Sequence, residues 1–124
     1  MKRILVVEDN ETNMYLSCFI LRKNNYEVIE AKSGEEAVKL AIQEKPDLIL
    51  MDIQLPGIDG MEATKKIKES EEAGAIPIVA FTSYAMTGDR EKLIKAGCSG
   101  YLEKPLNPET FITDIKNICD KKVR

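Results

Sequence analysis

The chain has 124 residues, of which 44% are hydrophobic and 31% are charged, a composition that suits one compact domain with a buried core. The formal net charge of −3 argues against the basic surface with which proteins neutralise nucleic-acid phosphates. No apolar run approaches the length of a membrane span, and the apolar run near the start is too short for a signal peptide. We therefore expect a single cytoplasmic domain over residues 1–124, with no nucleic-acid or membrane partner.

Histidine is absent from the sequence, and the cysteines are few. The lack of histidine excludes a Ser-His-Asp triad and a phosphohistidine on this chain. The three cysteines, Cys18, Cys98 and Cys119, are odd in number and show no Cys-x-x-Cys spacing. Neither a disulfide framework nor a zinc site is indicated, so we expect reduced, structural thiols.

Strands and helices are predicted to alternate from the first residues onward. Residues 4–7 are wholly apolar and predict a buried first strand, followed by a helix over about residues 12–24. A second strand over 27–31 mixes polar and apolar residues. The next helix begins after Ser33, whose spacing to Glu36 is that of a capping box, and Pro46 ends it.

The second half of the chain continues the same alternation. Residues 48–51 and 78–81 are wholly apolar and predict the third and fourth strands, followed by helices over about 61–69 and 88–96. Gly97 is predicted to cap the fourth helix. A mixed fifth strand over 100–103 precedes a last helix, for which Asn107 is predicted as the N-cap and Pro108 as the first helical residue.

This alternation predicts an α/β doubly wound fold, with a parallel sheet, right-handed crossovers and helices on both faces. The two mixed strands suit the sheet edges, which agrees with the order 2-1-3-4-5 found in one common group of doubly wound sheets. Ligands bind such sheets beyond the carboxyl ends of the strands, where the strand order reverses. We therefore expect the functional site at the ends of strands 1 and 3.

Acidic residues follow both of these strands. Glu8 and Asp9 come directly after the first strand, and Asp52 comes after the third. Three carboxylates in one crevice repel one another and raise their pKa values unless a cation neutralises them. Oxygen ligands favour Mg²⁺. The ion could be held by Asp9, Asp52 and the backbone carbonyl of Gln54, with Glu8 acting through water.

A metal site of this kind favours a phosphoryl group as its ligand. Asp52 could act as the nucleophile and form an aspartyl phosphate, provided that charge on the transferring oxygens is stabilised. Lys104 after the fifth strand would supply a cation, and Thr82 after the fourth strand a hydroxyl donor. Each residue alone has an ordinary explanation, such as a helix N-terminus or strand packing. Their coincidence at the strand ends favours a site.

The joint pattern resembles the receiver domain of two-component response regulators, and it covers essentially the whole chain. The matching residues, in chain order, are Glu8-Asp9, Asp52, Pro56-Gly57, Thr82 and Lys104-Pro105. The resemblance implies a flavodoxin-like, CheY-like fold and transfer of a phosphoryl group to Asp52 from a sensor histidine kinase or phosphotransfer protein. It also implies Mg²⁺ binding at Glu8 and Asp9.

Further roles are implied by the resemblance alone. Thr82 and Lys104 would grip the phosphoryl group, and Tyr101 would be the aromatic side chain whose inward turn reports activation. The residues that flank the pocket would be Ser83, Tyr84 and Pro105. Phosphorylation would reshape the face made by the fourth helix, fifth strand and fifth helix, and so control binding of a downstream protein target.

Several alternatives stay open. A dehalogenase-like phosphatase would have its nucleophile on strand 1 and a second aspartate two residues later, whereas Gln54 stands two residues after Asp52. A flavin carrier would need a neutral, hydroxyl-rich first loop, and residues 8–11 are mostly acidic. The chain could instead be a receiver excised from a hybrid histidine kinase, or a binding module that is not phosphorylated. We expect no enzymatic activity beyond its own phosphorylation and dephosphorylation.

Overall fold

The computed structural model describes residues 2–55, 57–82, 87–104 and 106–123, with the backbone alone for 87–90 and 119–123. The strands are β1 (Arg3–Val7), β2 (Glu27–Ala31), β3 (Leu48–Asp52), β4 (Ile78–Thr82) and β5 (Gly100–Glu103). The helices are α1 (Glu11–Lys23), α2 (Gly34–Glu44), α3 (Gly60–Glu69), α4 (Thr87–Ala96) and α5 (Phe111–Val123). The strands form one parallel sheet in the order β2-β1-β3-β4-β5, which confirms the predicted fold class.

Hydrophobic clusters cover both faces of the sheet. One cluster contains Leu5 and Ile49 together with residues of α2, α3 and α4, and the other contains Ile4 and Leu50 together with residues of α1 and α5. Successive strand residues point to opposite faces, so a strand covered on both sides must be apolar throughout. This explains the uninterrupted runs in β1, β3 and β4, and the mixed composition of the edge strands β2 and β5.

The start of α5 differs from the prediction. Asn107 was expected to cap a helix beginning at Pro108, but α5 begins at Phe111 and residues 108–110 form a turn. In this turn the Asn107 side-chain oxygen accepts a hydrogen bond from the Glu109 N–H at 3.0 Å, and its carbonyl accepts from the Phe111 N–H at 2.9 Å. Asparagine caps a turn as readily as a helix. The prediction that Asn107 is a capping residue was therefore correct, and the prediction that a helix begins directly after it was wrong.

The buried cysteines agree with the expectation of structural thiols. Cys18 and Cys98 are buried and form no disulfide, and burial raises the pKa of each thiol to about 11. The side chain of Cys119 lies outside the described residues. Among the helices that the structure describes, none combines the length and apolar character of a membrane span. A cytoplasmic location stays a prediction.

Candidate functional site

Three carboxylates meet at the carboxyl end of the sheet, between β1 and β3. Val7 pairs with Met51 in the parallel ladder, so the residues that follow these two emerge side by side. One carboxylate oxygen each of Glu8, Asp9 and Asp52 lies within 4.8 Å of the others. Glu8 and Asp52 are buried, whereas Asp9 is exposed. The prediction that these residues converge in one crevice is confirmed.

Lys104 reaches both buried carboxylates from the end of β5. Its Nζ lies 3.0 Å from Oε1 of Glu8 and 3.1 Å from Oδ2 of Asp52. The same ammonium lies 5.3 Å from the ring centroid of Phe81, within the range of a cation–π contact. Partial burial lowers the pKa of Lys104, but the two carboxylates outweigh burial and the pKa is raised overall. Lys104 is therefore a fixed positive charge at the pocket.

The buried carboxylate of Glu8 has few polar partners. Its Oε2 accepts a hydrogen bond from the Asn10 N–H at 3.3 Å. Its Oε1 is buried and, within the described part of the chain, has only the ion pair with Lys104 and no hydrogen bond of good geometry. Burial first, and then the neighbouring Asp52, raises the pKa of Glu8 to about 7, against the opposing effect of Lys104. Three grouped carboxylates and one ammonium leave an excess of negative charge, which fits a hard divalent cation.

The loop after Asp52 folds back tightly on the strand. Oδ1 of Asp52 accepts a hydrogen bond from the Gln54 N–H at 3.0 Å, and the Gly60 N–H donates to the Ile53 carbonyl at 3.0 Å. A Cβ atom at Gly60 would meet the carbonyl oxygen of Asp52 and lie 2.6 Å from Cα of Ile53. Glycine at this position is therefore what allows α3 to begin against the backbone of Asp52.

Of the other predicted side chains, the structure describes those of Thr82 and Tyr101. Thr82 is buried at the end of β4, and it lines with Gln54 a cavity of about 580 Å³. Tyr101 is half-buried in β5, in register with Ala80. Ser83, Tyr84 and Pro105 lie outside the described residues. The proposed roles of all these residues stay predictions.

Two contributors were missed in the sequence. Asn10 donates its backbone N–H to Glu8, and the Lys104 ammonium lies over the ring of Phe81. Asparagine directly after the acidic pair was a usable N-cap signal. The sequence did not indicate a role for Phe81 at the site, because this residue belongs to an apolar run that predicts only a buried strand.

Comparison with known proteins gives consistent matches along the chain. The family model for the response regulator receiver domain matches residues 4–116. The polar-differentiation response regulator DivK of Brucella ovis is 47% identical over 116 residues, which cover 94% of each protein.

Solved structures show the same fold. The receiver domain of sensor histidine kinase PA1611 from Pseudomonas aeruginosa PAO1, crystallised with a magnesium ion coordinated in its active-site cleft, has a TM-score of 0.85 and 36% identity, covering 98% of this chain and 97% of that one. The chemotaxis protein CheY4 of Vibrio cholerae has a TM-score of 0.91 and 27% identity, covering 95% of this chain and 98% of its own. The five-stranded sheet described above is therefore the CheY-like, flavodoxin-like fold.

Proposed function

This chain belongs to the response regulator receiver family of two-component systems, and on that premise we propose that Asp52 accepts a phosphoryl group with the help of Mg²⁺. The donor is a phosphohistidine on a sensor histidine kinase or phosphotransfer protein. The observation that carries the proposal is the buried Asp52 carboxylate, 3.1 Å from the Lys104 ammonium and grouped with Glu8 and Asp9. We also propose that residues 1–124 form a single receiver domain.

The metal would be held by the carboxylates of Asp9 and Asp52 and by the backbone carbonyl of Gln54, with Glu8 acting through water. When bound, Mg²⁺ neutralises charge on the transferring phosphoryl oxygens. The grouping of three carboxylates with one ammonium supports this assignment, because a divalent cation would balance the negative charge that Lys104 alone leaves uncompensated.

Transfer forms one bond and breaks one. A carboxylate oxygen of Asp52 bonds to phosphorus while the phosphorus–nitrogen bond of the donor breaks, and the imidazole leaves with that electron pair. Lys104 offers a positive charge to one phosphoryl oxygen, and the hydroxyl of Thr82 donates a hydrogen bond to another. In hydrolysis, a water oxygen bonds to phosphorus while the bond from phosphorus to the Asp52 oxygen breaks, which releases inorganic phosphate and restores the carboxylate. The chain is thus a signalling phosphoacceptor that catalyses only its own phosphorylation and dephosphorylation.

The signal leaves through the face formed by α4, β5 and α5. The phosphoryl group draws Thr82 and Lys104 towards it, Tyr101 turns inward, and the face changes its affinity for a downstream protein. This is a shift between two packings, so the phosphoryl group must stabilise one of them more than the other.

Intact-mass analysis after incubation with acetyl phosphate tests the proposal. Wild type should gain one phosphoryl group in the presence of Mg²⁺ and none in EDTA, and Asp52→Asn should gain none in either. Asp114→Asn, on α5, is the matched control and should behave as wild type. If folded wild-type protein forms no adduct with Mg²⁺ and does not bind a phosphoryl mimic, the proposal fails and the chain is an unphosphorylated binding module.

A further inference from the structure

Four exposed residues form a single row along α1. Glu11, Tyr15, Phe19 and Lys23 follow one another at intervals of four residues, so they lie on one side of the helix. The rings of Tyr15 and Phe19 stack with centroids 6.1 Å apart, and Nζ of Lys23 lies 5.7 Å from the Phe19 centroid. We call these four residues the α1 row.

The α1 row exposes an unusual amount of apolar surface. Tyr15 is 67% exposed and Phe19 is 52% exposed. In the part of the chain that the structure describes, four large hydrophobic residues are exposed, and three of them, Tyr15, Leu16 and Phe19, belong to α1. A groove of about 690 Å³ between α1 and the end of β2 is lined by all four residues of the row, and it extends to Glu8 and Asp9. Contiguous exposed apolar surface of this kind marks an interaction site.

The order of residues in the row is complementary to itself. An acid stands at the N-terminal end, a base at the C-terminal end, and two aromatic rings lie between them. If two copies meet antiparallel about a two-fold axis near residue 17, Glu11 faces Lys23 of the partner subunit and Tyr15 faces Phe19 of the partner subunit. A two-fold interface requires this kind of self-complementary patch. A parallel pairing would instead place like charges together.

We propose that the α1 row is the interface of an antiparallel homodimer, with a second copy of this chain as its occupant. This proposal does not depend on the proposed function. The row is about 18 Å long at 1.5 Å per residue, which is short for an interface of standard size. The dimer is therefore weak and should form only at high protein concentration.

Sedimentation equilibrium of the full chain, up to about millimolar concentration, tests the dimer through charge reversal. Glu11→Lys and Lys23→Glu should each weaken association by at least about tenfold, because both ion pairs become repulsive. An equimolar mixture of the two variants should restore association, since each of the two charge pairs across the interface is then between opposite charges. The double variant Glu11→Lys/Lys23→Glu should also restore it.

Controls separate the interface from general charge and folding effects. Lys65→Glu changes an exposed charge on α3, on the opposite face of the sheet, and should leave association unchanged. Thermal unfolding checks that every variant is folded. A wild type that is monomeric at millimolar concentration overturns the proposal. So does a mixture that fails to restore association, and the row would then be a docking surface for a different protein.

Discussion

Nζ of Lys104 lies 3.1 Å from Oδ2 of Asp52 and also 3.0 Å from Oε1 of Glu8, so that one ammonium faces two buried carboxylates. The pocket therefore holds more negative than positive charge in a place shielded from water. Removing charges from water is costly unless they are balanced. Burial and the neighbouring carboxylate raise the pKa of Glu8, and the same excess of negative charge makes the site suitable for a divalent cation.

Lys104→Ala should destabilise the protein when divalent ions are removed. The substitution leaves two buried carboxylates without their cation, and breaking a buried pair costs about 3 kcal/mol. Urea unfolding in EDTA at pH 8 measures this loss, and added Mg²⁺ should recover part of it. Acetyl phosphate should still phosphorylate Asp52, but the α4, β5 and α5 face should no longer respond, as seen in amide chemical shifts.

Two comparisons make the Lys104 prediction specific. Lys104→Arg keeps the charge and should retain most of the stability, while Lys92→Ala removes an exposed lysine of α4 and should cost little. Unchanged partner binding and an unchanged chemical-shift response in phosphorylated Lys104→Ala would contradict the proposed switch.

Glu8 should make the metal-free protein less stable as the pH rises. Its pKa is about 7 in the folded protein and 4.5 in the unfolded chain, so the folded state binds more protons between these values. The unfolding free energy then falls with increasing pH across this window, by up to about 3 kcal/mol for a shift of this size. The stabilisation is present below pH 4.5 and is lost as the pH passes about 7.

The difference between wild type and Glu8→Gln isolates this contribution from the other carboxylates. Urea unfolding in EDTA at several pH values gives the unfolding free energy as a function of pH. Between pH 4.5 and 7 this free energy should fall more steeply in wild type than in Glu8→Gln. Glu91→Gln on α4 should show the same pH dependence as wild type. Parallel profiles for wild type and Glu8→Gln would show that Glu8 does not titrate as proposed.

Gly60→Ala should disturb the site through the backbone. The added Cβ would lie 2.6 Å from Cα of Ile53 and would also meet the Asp52 carbonyl oxygen, and neither atom can move like a flexible side chain. We expect a loss of about 2 kcal/mol in unfolding free energy, even though alanine favours helices. Phosphorylation by acetyl phosphate should also slow. Glu69→Ala, exposed at the other end of α3, is the control and should be neutral in both measurements.

The sequence predicted the parts of the fold that hydrophobic burial determines. The apolar runs of β1, β3 and β4 are required by burial on both faces, so their positions and the acidic residues at their ends could be read directly. The convergence of Glu8, Asp9 and Asp52 followed from the topology of the sheet.

What the sequence could not predict depends on contacts between distant segments. The approach of Lys104 to Phe81 and the tight passage of α3 at Gly60 arise only after the sheet has formed. The start of α5 was missed because the Asn107 side chain caps a turn, and local sequence does not distinguish that turn from the first turn of a helix.

The two helices that leave the site should each lose stability when their caps are removed. Asn10 Oδ1 accepts a hydrogen bond from the Asn13 N–H at 2.9 Å, and Asp59 Oδ1 accepts one from the Glu62 N–H at 2.9 Å. Asn10→Ala and Asp59→Ala should each cost about 1 kcal/mol in urea unfolding. Their helices pack on opposite faces of the sheet, so the double variant should lose about 2 kcal/mol. Asn10→Ser and Asp59→Ser retain a capping oxygen and should keep most of the stability. A double variant much less stable than this sum would mean that the caps are coupled through the carboxylate pocket between them.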